Sequence, residues 1–145
     1  MGKVSAFVPI RLNIDHLNRV VIGVGEGVLT IQDLVAFGLE VLKAKVLPYG
    51  KIIDVATSTP GFTEGELRAF AQIAREQVGT TQRGPLALVV DPARGEMAKF
   101  FTNLDLEGRP ANVFRSLHEA RQWMAQLRAE EQRATAVPTR TRPPR

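Results

Sequence analysis

The 145-residue sequence contains no cysteine. Disulfides, thiolate nucleophiles and cysteine-ligated metals are therefore excluded. Histidine is nearly as scarce. His16 and His118 are the two present, and neither stands at metal-motif spacing with carboxylates. Neither has a Ser or Cys partner in a nucleophile motif, so a catalytic triad has no support. No run approaches about 18 consecutive apolar residues, so no membrane span is expected. The first residues lack the apolar core and small-residue cleavage site of a signal peptide. Met1-Gly2 is followed by Ala6, which leaves a myristoylation pattern incomplete. A cytoplasmic location is the expectation, with no cofactor and no metal.

Charge of one sign is also missing from the body of the chain. The net charge of +4 comes from the end, because Arg133, Arg140, Arg142 and Arg145 follow the last carboxylate, Glu131. Residues 1–131 carry equal numbers of acidic and basic side chains. The body thus has no compositional reason to seek phosphate backbones, and no specific nucleic-acid partner is expected.

What is present alternates in period. Val8, Ile10, Leu12 and Ile14 share one face of a half-buried strand opposite Arg11 and Asn13. Pro9 makes it an edge strand. Asp15 to Asn18 supply a turn, and the run from Arg19 to Val24 returns as the second arm of a hairpin. Thr30, with Asp33 three residues on, opens a helix whose apolar side is Ile31, Leu34, Val35, Val41 and Leu42. Lys51 to Ala56 reads as a short strand covered on both faces. Thr63 and Glu66 form a capping box opening a second helix, with Leu67, Phe70, Ala71, Ala74 and Val78 as its stripe. Leu86 to Val90 is the clearest buried strand. Asp91-Pro92 starts a third helix lined by Met97, Phe100, Phe101 and Leu104. Ala111 to Arg115 is a last strand. Ser116 and Glu119 box the start of a fourth helix carrying Ala120, Trp123, Met124 and Leu127.

The order β-β-α-β-α-β-α-β-α predicts an α/β sandwich with a mixed, mainly parallel sheet, an N-terminal hairpin and four helices. One domain is expected over residues 1–128. Residues 129–145, rich in Arg, Thr, Ala and Pro, read as a disordered basic tail.

The stretch VIGVGEGVLT, residues 21–30, looks at first like a phosphate loop. A dinucleotide fingerprint needs a third small residue where Val28 stands, and its strand should begin a βαβ unit, not close a hairpin. The structural alternative is that Gly23, Gly25 and Gly27 share a strand face and admit a close neighbour. Asp54 and Asp91 fall at expected carboxyl ends of parallel strands, where open α/β sheets bind ligands. With Arg94 they form a candidate polar site. The competing role of Asp91 is an N-cap, and that of Asp54 is a bond to local backbone amides. Ser58, Thr59 and Thr63 precede a helix, where a phosphate would meet a favourable dipole.

Three strings together resemble the bacterial SpoIIAA-like (STAS-like, STAS/SEC14-type) proteins: KIIDVATSTPGFTEGEL, GPLALVVDP and RPANVFRSLHEARQWM. In such proteins a final short strand ending Val-Phe, here Val113-Phe114, precedes a helix of the form acidic-Ala-x-x-Trp, here Glu119 to Trp123. The resemblance covers about residues 5–127. It implies a SpoIIAA-like domain that acts by protein contact, as anti-sigma factor antagonists do, without being an enzyme. Those relatives are switched at a serine in an Asp-Ser-Ser/Thr-Gly motif. After Asp54 this chain reads VATSTPGFTEGE, which departs from that motif. Other relatives resemble lipid- or small-ligand-binding domains. The expectation is therefore a regulatory, protein-interacting domain, with a small-molecule or lipid site at the carboxyl ends of the strands as the alternative.

Overall fold

A computed structural model describes residues 10–79, 81–93, 99 and 109–136. The chain opens with the hairpin of β1 (Ile10–Asp15) and β2 (Val20–Leu29). Then come α1 (Ile31–Ala44), β3 (Gly50–Pro60), α2 (Glu64–Val78), β4 (Leu86–Val89), β5 (Ala111–Phe114) and α3 (Leu117–Ala136). The five strands lie in sequence order, β1-β2-β3-β4-β5. β1 pairs antiparallel with β2, and every later pair is parallel. The expected helix after Asp91-Pro92, with Met97, Phe100, Phe101 and Leu104, lies outside the described residues, as does Arg94.

The helix starts follow the local chemistry. The Thr30 hydroxyl accepts from Asp33 N while the Asp33 carboxylate accepts from Thr30 N, and Thr63 and Glu66 repeat the reciprocal pair. Each box satisfies two otherwise orphaned amides. At α3 the Ser116 hydroxyl accepts from Glu119 N, and the Glu119 carboxylate accepts from Arg115 N. In the hairpin turn, the side-chain amide and then the backbone N–H of Asn18 hold the Asp15 carboxyl below its usual range. His16 is a turn residue bonded through Nδ1 to the Tyr49 hydroxyl at 2.8 Å. The Arg19 guanidinium lies 4.7 Å from the Tyr49 ring centre.

The parity of β4 shows how the core divides. Leu86, Leu88 and Val90 pack with Leu34 of α1, Leu67 of α2 and Ile53 and Val55 of β3. Ala87 and Val89 pack with Ala120 and Met124 of α3. Thus α1 and α2 cover one face of the sheet and α3 the other.

Besides β2, which runs on past Val24 to Leu29, three features differ from the sequence-based expectation. β3 does not stop at Ala56 but runs to Pro60, paired with β2 as far as Leu29↔Pro60. The register slips once, so that Gly25 alone spans Val55 and Ala56 of β3. That bulge absorbs the odd residue and lets the ladder continue through polar sequence. Second, α3 passes the expected 128/129 boundary and continues to Ala136. Ala, Glu, Gln and Arg are strong helix formers, and extending an existing helix costs little compared with starting one. Residues 137–145 of the expected tail lie outside the described residues. Third, Val35 and Leu42 of α1 are exposed, leaving Leu34 and Val41 as the helix's buried residues.

The glycines of β2 do not act alike. A Cβ at Gly23 would lie 2.6 Å from Phe37 Cε1 and 3.1 Å from Ile10 Cγ2. The neighbour admitted at Gly23 is therefore the protein's own helix α1. Gly27 meets open space but has φ +70°, a backbone state that an L side chain rarely adopts. Gly23→Ala is expected to cost about 1–3 kcal/mol in chemical denaturation. Gly23→Ala combined with Phe37→Leu should lose less than the two single changes summed, because the second makes room for the first.

Candidate functional site

The residues singled out at the strand ends are occupied locally. Asp54 Oδ1 accepts from Ala56 N at 3.1 Å, and Asp91 Oδ1 accepts from Ala93 N at 3.0 Å. For Asp54 this is the local backbone bond that competed with a ligand site; the helix that Asp91 was expected to cap lies outside the described residues. Ser58 and Thr59 lie in the β2–β3 ladder, opposite Gly27 and Val28, and not at the helix start. Ser58 is 2% exposed, whereas Thr59 is on the surface. The Thr63 hydroxyl accepts from Glu66 N within its capping box. Burial of Ser58 within the sheet is opposed to the accessible hydroxyl that a phosphorylation switch requires.

The large concavity lies elsewhere. A groove of about 540 Å³ runs between α1 and α2 over the sheet, and neither Asp54 nor Asp91 lines it. Its size is in the range of small-molecule sites. One wall is α1, contributing Ile31, Leu34, Val35, Phe37, Leu39 and Leu42. The other is α2, contributing Leu67, Phe70, Ile73, Ala74 and Val78. Val35, Leu39 and Leu42 recur at i, i+4 and i+7, and with Ile73 they remain exposed, Leu39 at 56% and Ile73 at 57%. An amphipathic helix needs a single stripe to cover a sheet. This second strip of apolar side chains on α1 turns toward α2.

Most of the lining is apolar, and its charges are segregated. Glu66, at the start of α2, is the carboxylate that lines the groove among the described residues, and its Oε1 accepts from Thr63 N. Lys51, Arg75, Arg83 and Arg109 also line it. Lys51 is only 5% exposed, and Nζ donates to the Leu47 carbonyl. Gly84 N donates to the same carbonyl at 3.1 Å, and Arg109 donates to Gly84 O at 3.2 Å. Burial, with repulsion from Arg109 and Arg83, pushes the Lys51 pKa down from the ordinary 10.5 to about 7. Sequence reasoning passed over Lys51. The available signal was a lysine directly before Ile52, Ile53 and Val55, in a run that reads as covered on both faces.

A crystal structure of an uncharacterized protein from the DUF3478 family, from Shewanella loihica PV-4, superposes on this chain with a TM-score of 0.58. It is described as having a SpoIIAA-like fold. This chain has the SpoIIAA-like fold. The match covers 85% of this chain and 99% of the other, at 15% identity, so the SpoIIAA-like relationship is one of architecture. Neither a protein-family model nor a curated protein matches the sequence. Among the described residues, no helix is long and apolar enough to cross a membrane, and no cluster of three or more acidic or histidine side chains offers a metal site.

The depressed Lys51 pKa has a definite sign for stability. Between about pH 7 and 10.5 the unfolded chain holds a proton that the folded chain releases, so stability rises with pH across that window. The slope contributed by this one group approaches, but does not exceed, about 1.4 kcal/mol per pH unit. Denaturation midpoints measured from pH 7 to 9.5 should climb in the wild type. In Lys51→Met that component of the climb should be absent.

Proposed function

We propose that this SpoIIAA-like domain is a non-enzymatic binding module, and that its working site is the apolar groove between α1 and α2. It takes up a lipid or another apolar small molecule there, and binding is the event through which it regulates. The observation that carries this reading is the exposed apolar strip Val35, Leu39, Leu42 and Ile73 around a concavity. Side chains of this kind lose contact with water when a ligand enters, a gain of about 25 cal/mol per Å² of apolar surface removed. Enzymatic roles draw no support from the carboxylates considered, since Asp54, Asp91 and Glu66 each accept a bond from a nearby backbone amide. The place of the site differs from the strand-end location that the polar residues suggested.

A second reading makes the same strip the seat of a protein partner, as in the regulatory relatives that the sequence resembles. An i, i+4, i+7 row on one helix is a form in which helical partners are received. Nile red, a neutral apolar dye, separates the two. A small-molecule groove should bind it saturably at one site per chain. Leu39→Asp with Ile73→Asp, at exposed positions, should weaken that binding by about tenfold or more while circular dichroism stays unchanged. Dye uptake that never saturates would sink the ligand reading. A photo-cross-linker at Gln32 that then captured one discrete protein in the native host would favour the partner reading.

A further inference from the structure

The amino-terminal ends of β3 and β4 hold a feature that an apolar ligand alone leaves unexplained. Lys51 lies within the groove, almost completely buried. An ammonium has three N–H donors, and its hydrogen bond is to the Leu47 carbonyl. That carbonyl is already served by Gly84 N. Among the described residues no carboxylate pairs with Lys51, and the charged groups acting on it, Arg109 and Arg83, are both cations. A buried ammonium without a counter-ion is expensive. A second, more polar hollow of about 320 Å³ opens beside it, and Arg75, Arg83 and Arg109 line both spaces. The groove is thus polarised. Cations and polar space sit at one end, and Phe37, Leu39, Phe70 and Ile73 border its apolar stretch.

We propose that the groove's ligand is a single-chain amphiphile with an anionic head, the chain lying between α1 and α2 and the head on Lys51 and Arg83. The inference rests on the ligand reading above. Its chemistry is that of a long acyl chain ending in a carboxylate or a phosphate monoester. The anion supplies a counter-ion that no described residue gives Lys51, and charge-assisted hydrogen bonds are the stronger kind. The guanidinium of Arg83 fits either head in a two-pronged arrangement. The adjoining hollow leaves room for a head larger than a carboxylate.

The test uses the full chain and three probes of equal chain length, each displacing Nile red below its micelle concentration. They are palmitate, 1-palmitoyl lysophosphatidate and the neutral hexadecanol. At least one acid should bind about tenfold or more tightly than hexadecanol. Whichever acid is preferred identifies the head. Lys51→Met and Arg83→Gln should each cut that preference about fivefold or more and leave hexadecanol binding unchanged. Lys51→Met is compatible with folding, because Gly84 N continues to serve the Leu47 carbonyl and a buried charge is removed. Arg83→Gln provides an independent variant. Equal binding of acid and alcohol, or a preference surviving in both variants, overturns the anionic-head proposal while leaving the apolar groove standing. Failure of all three probes to displace the dye overturns both.

Discussion

The sequential order of the parallel strands is the constraint from which the rest follows. When each parallel strand lies next to its predecessor, right-handed crossovers put the connecting helices on the same face. Accordingly α1 and α2 share one side of the sheet, and the other is closed by α3, which comes after the last strand. Two helices over a wide, twisted sheet do not meet along their whole length. The space between them is the groove, so the site is a by-product of topology that the sequence has then furnished with side chains.

How α1 is seated matters for that space. Gly23 lets the Phe37 ring approach the sheet where any Cβ would collide with it. With Phe37 held there, Leu34 and Val41 are buried, while Val35, Leu39 and Leu42 face outward and toward α2. The same face carries Lys51 at the beginning of β3. Its position is set by the strand ladder, since β3 pairs Lys51 with Val21 on one side and Leu86 on the other. Neither strand can shift by one residue without exchanging its buried faces. The lysine is therefore held in the apolar layer by the register of its neighbours.

Much of the fold was legible because its signals are local. Thr30/Asp33 and Thr63/Glu66 mark helix starts through bonds between residues three apart, and LALVV reads as a doubly covered strand from its own composition. The end of β3 was not legible. Thr57 to Pro60 are polar and end in proline, and become strand because β2 offers partners and a bulge corrects the phase. The end of α3 was missed for the opposite reason, since a basic, proline-bound tail masked a helix-forming stretch before it. At the site, the strand-end aspartates drew attention by type and place, yet local amides occupy them. The groove depends on the spacing of two helices, and no residue pattern states that distance. Leu39 is the exception: it is apolar and lies outside the stripe expected to bury α1, which is a trace of a second surface.

The ordering of the strands has a consequence for how the chain is made. Each strand pairs with the one synthesised just before it, so the sheet can grow strand by strand as the chain emerges. The hairpin is close in sequence, but parallel pairs such as Val21 with Lys51 and Lys51 with Leu86 must each wait for a crossover to be made, which slows assembly. The two faces, however, are not protected together. The side under α1 and α2 is covered as it forms, while Ile22, Ile52, Ala87 and Val89 wait for Ala120 and Met124 near the end of the chain. A ribosome that stalled before α3 would leave one sheet face bare, a surface of the kind that invites aggregation or a chaperone.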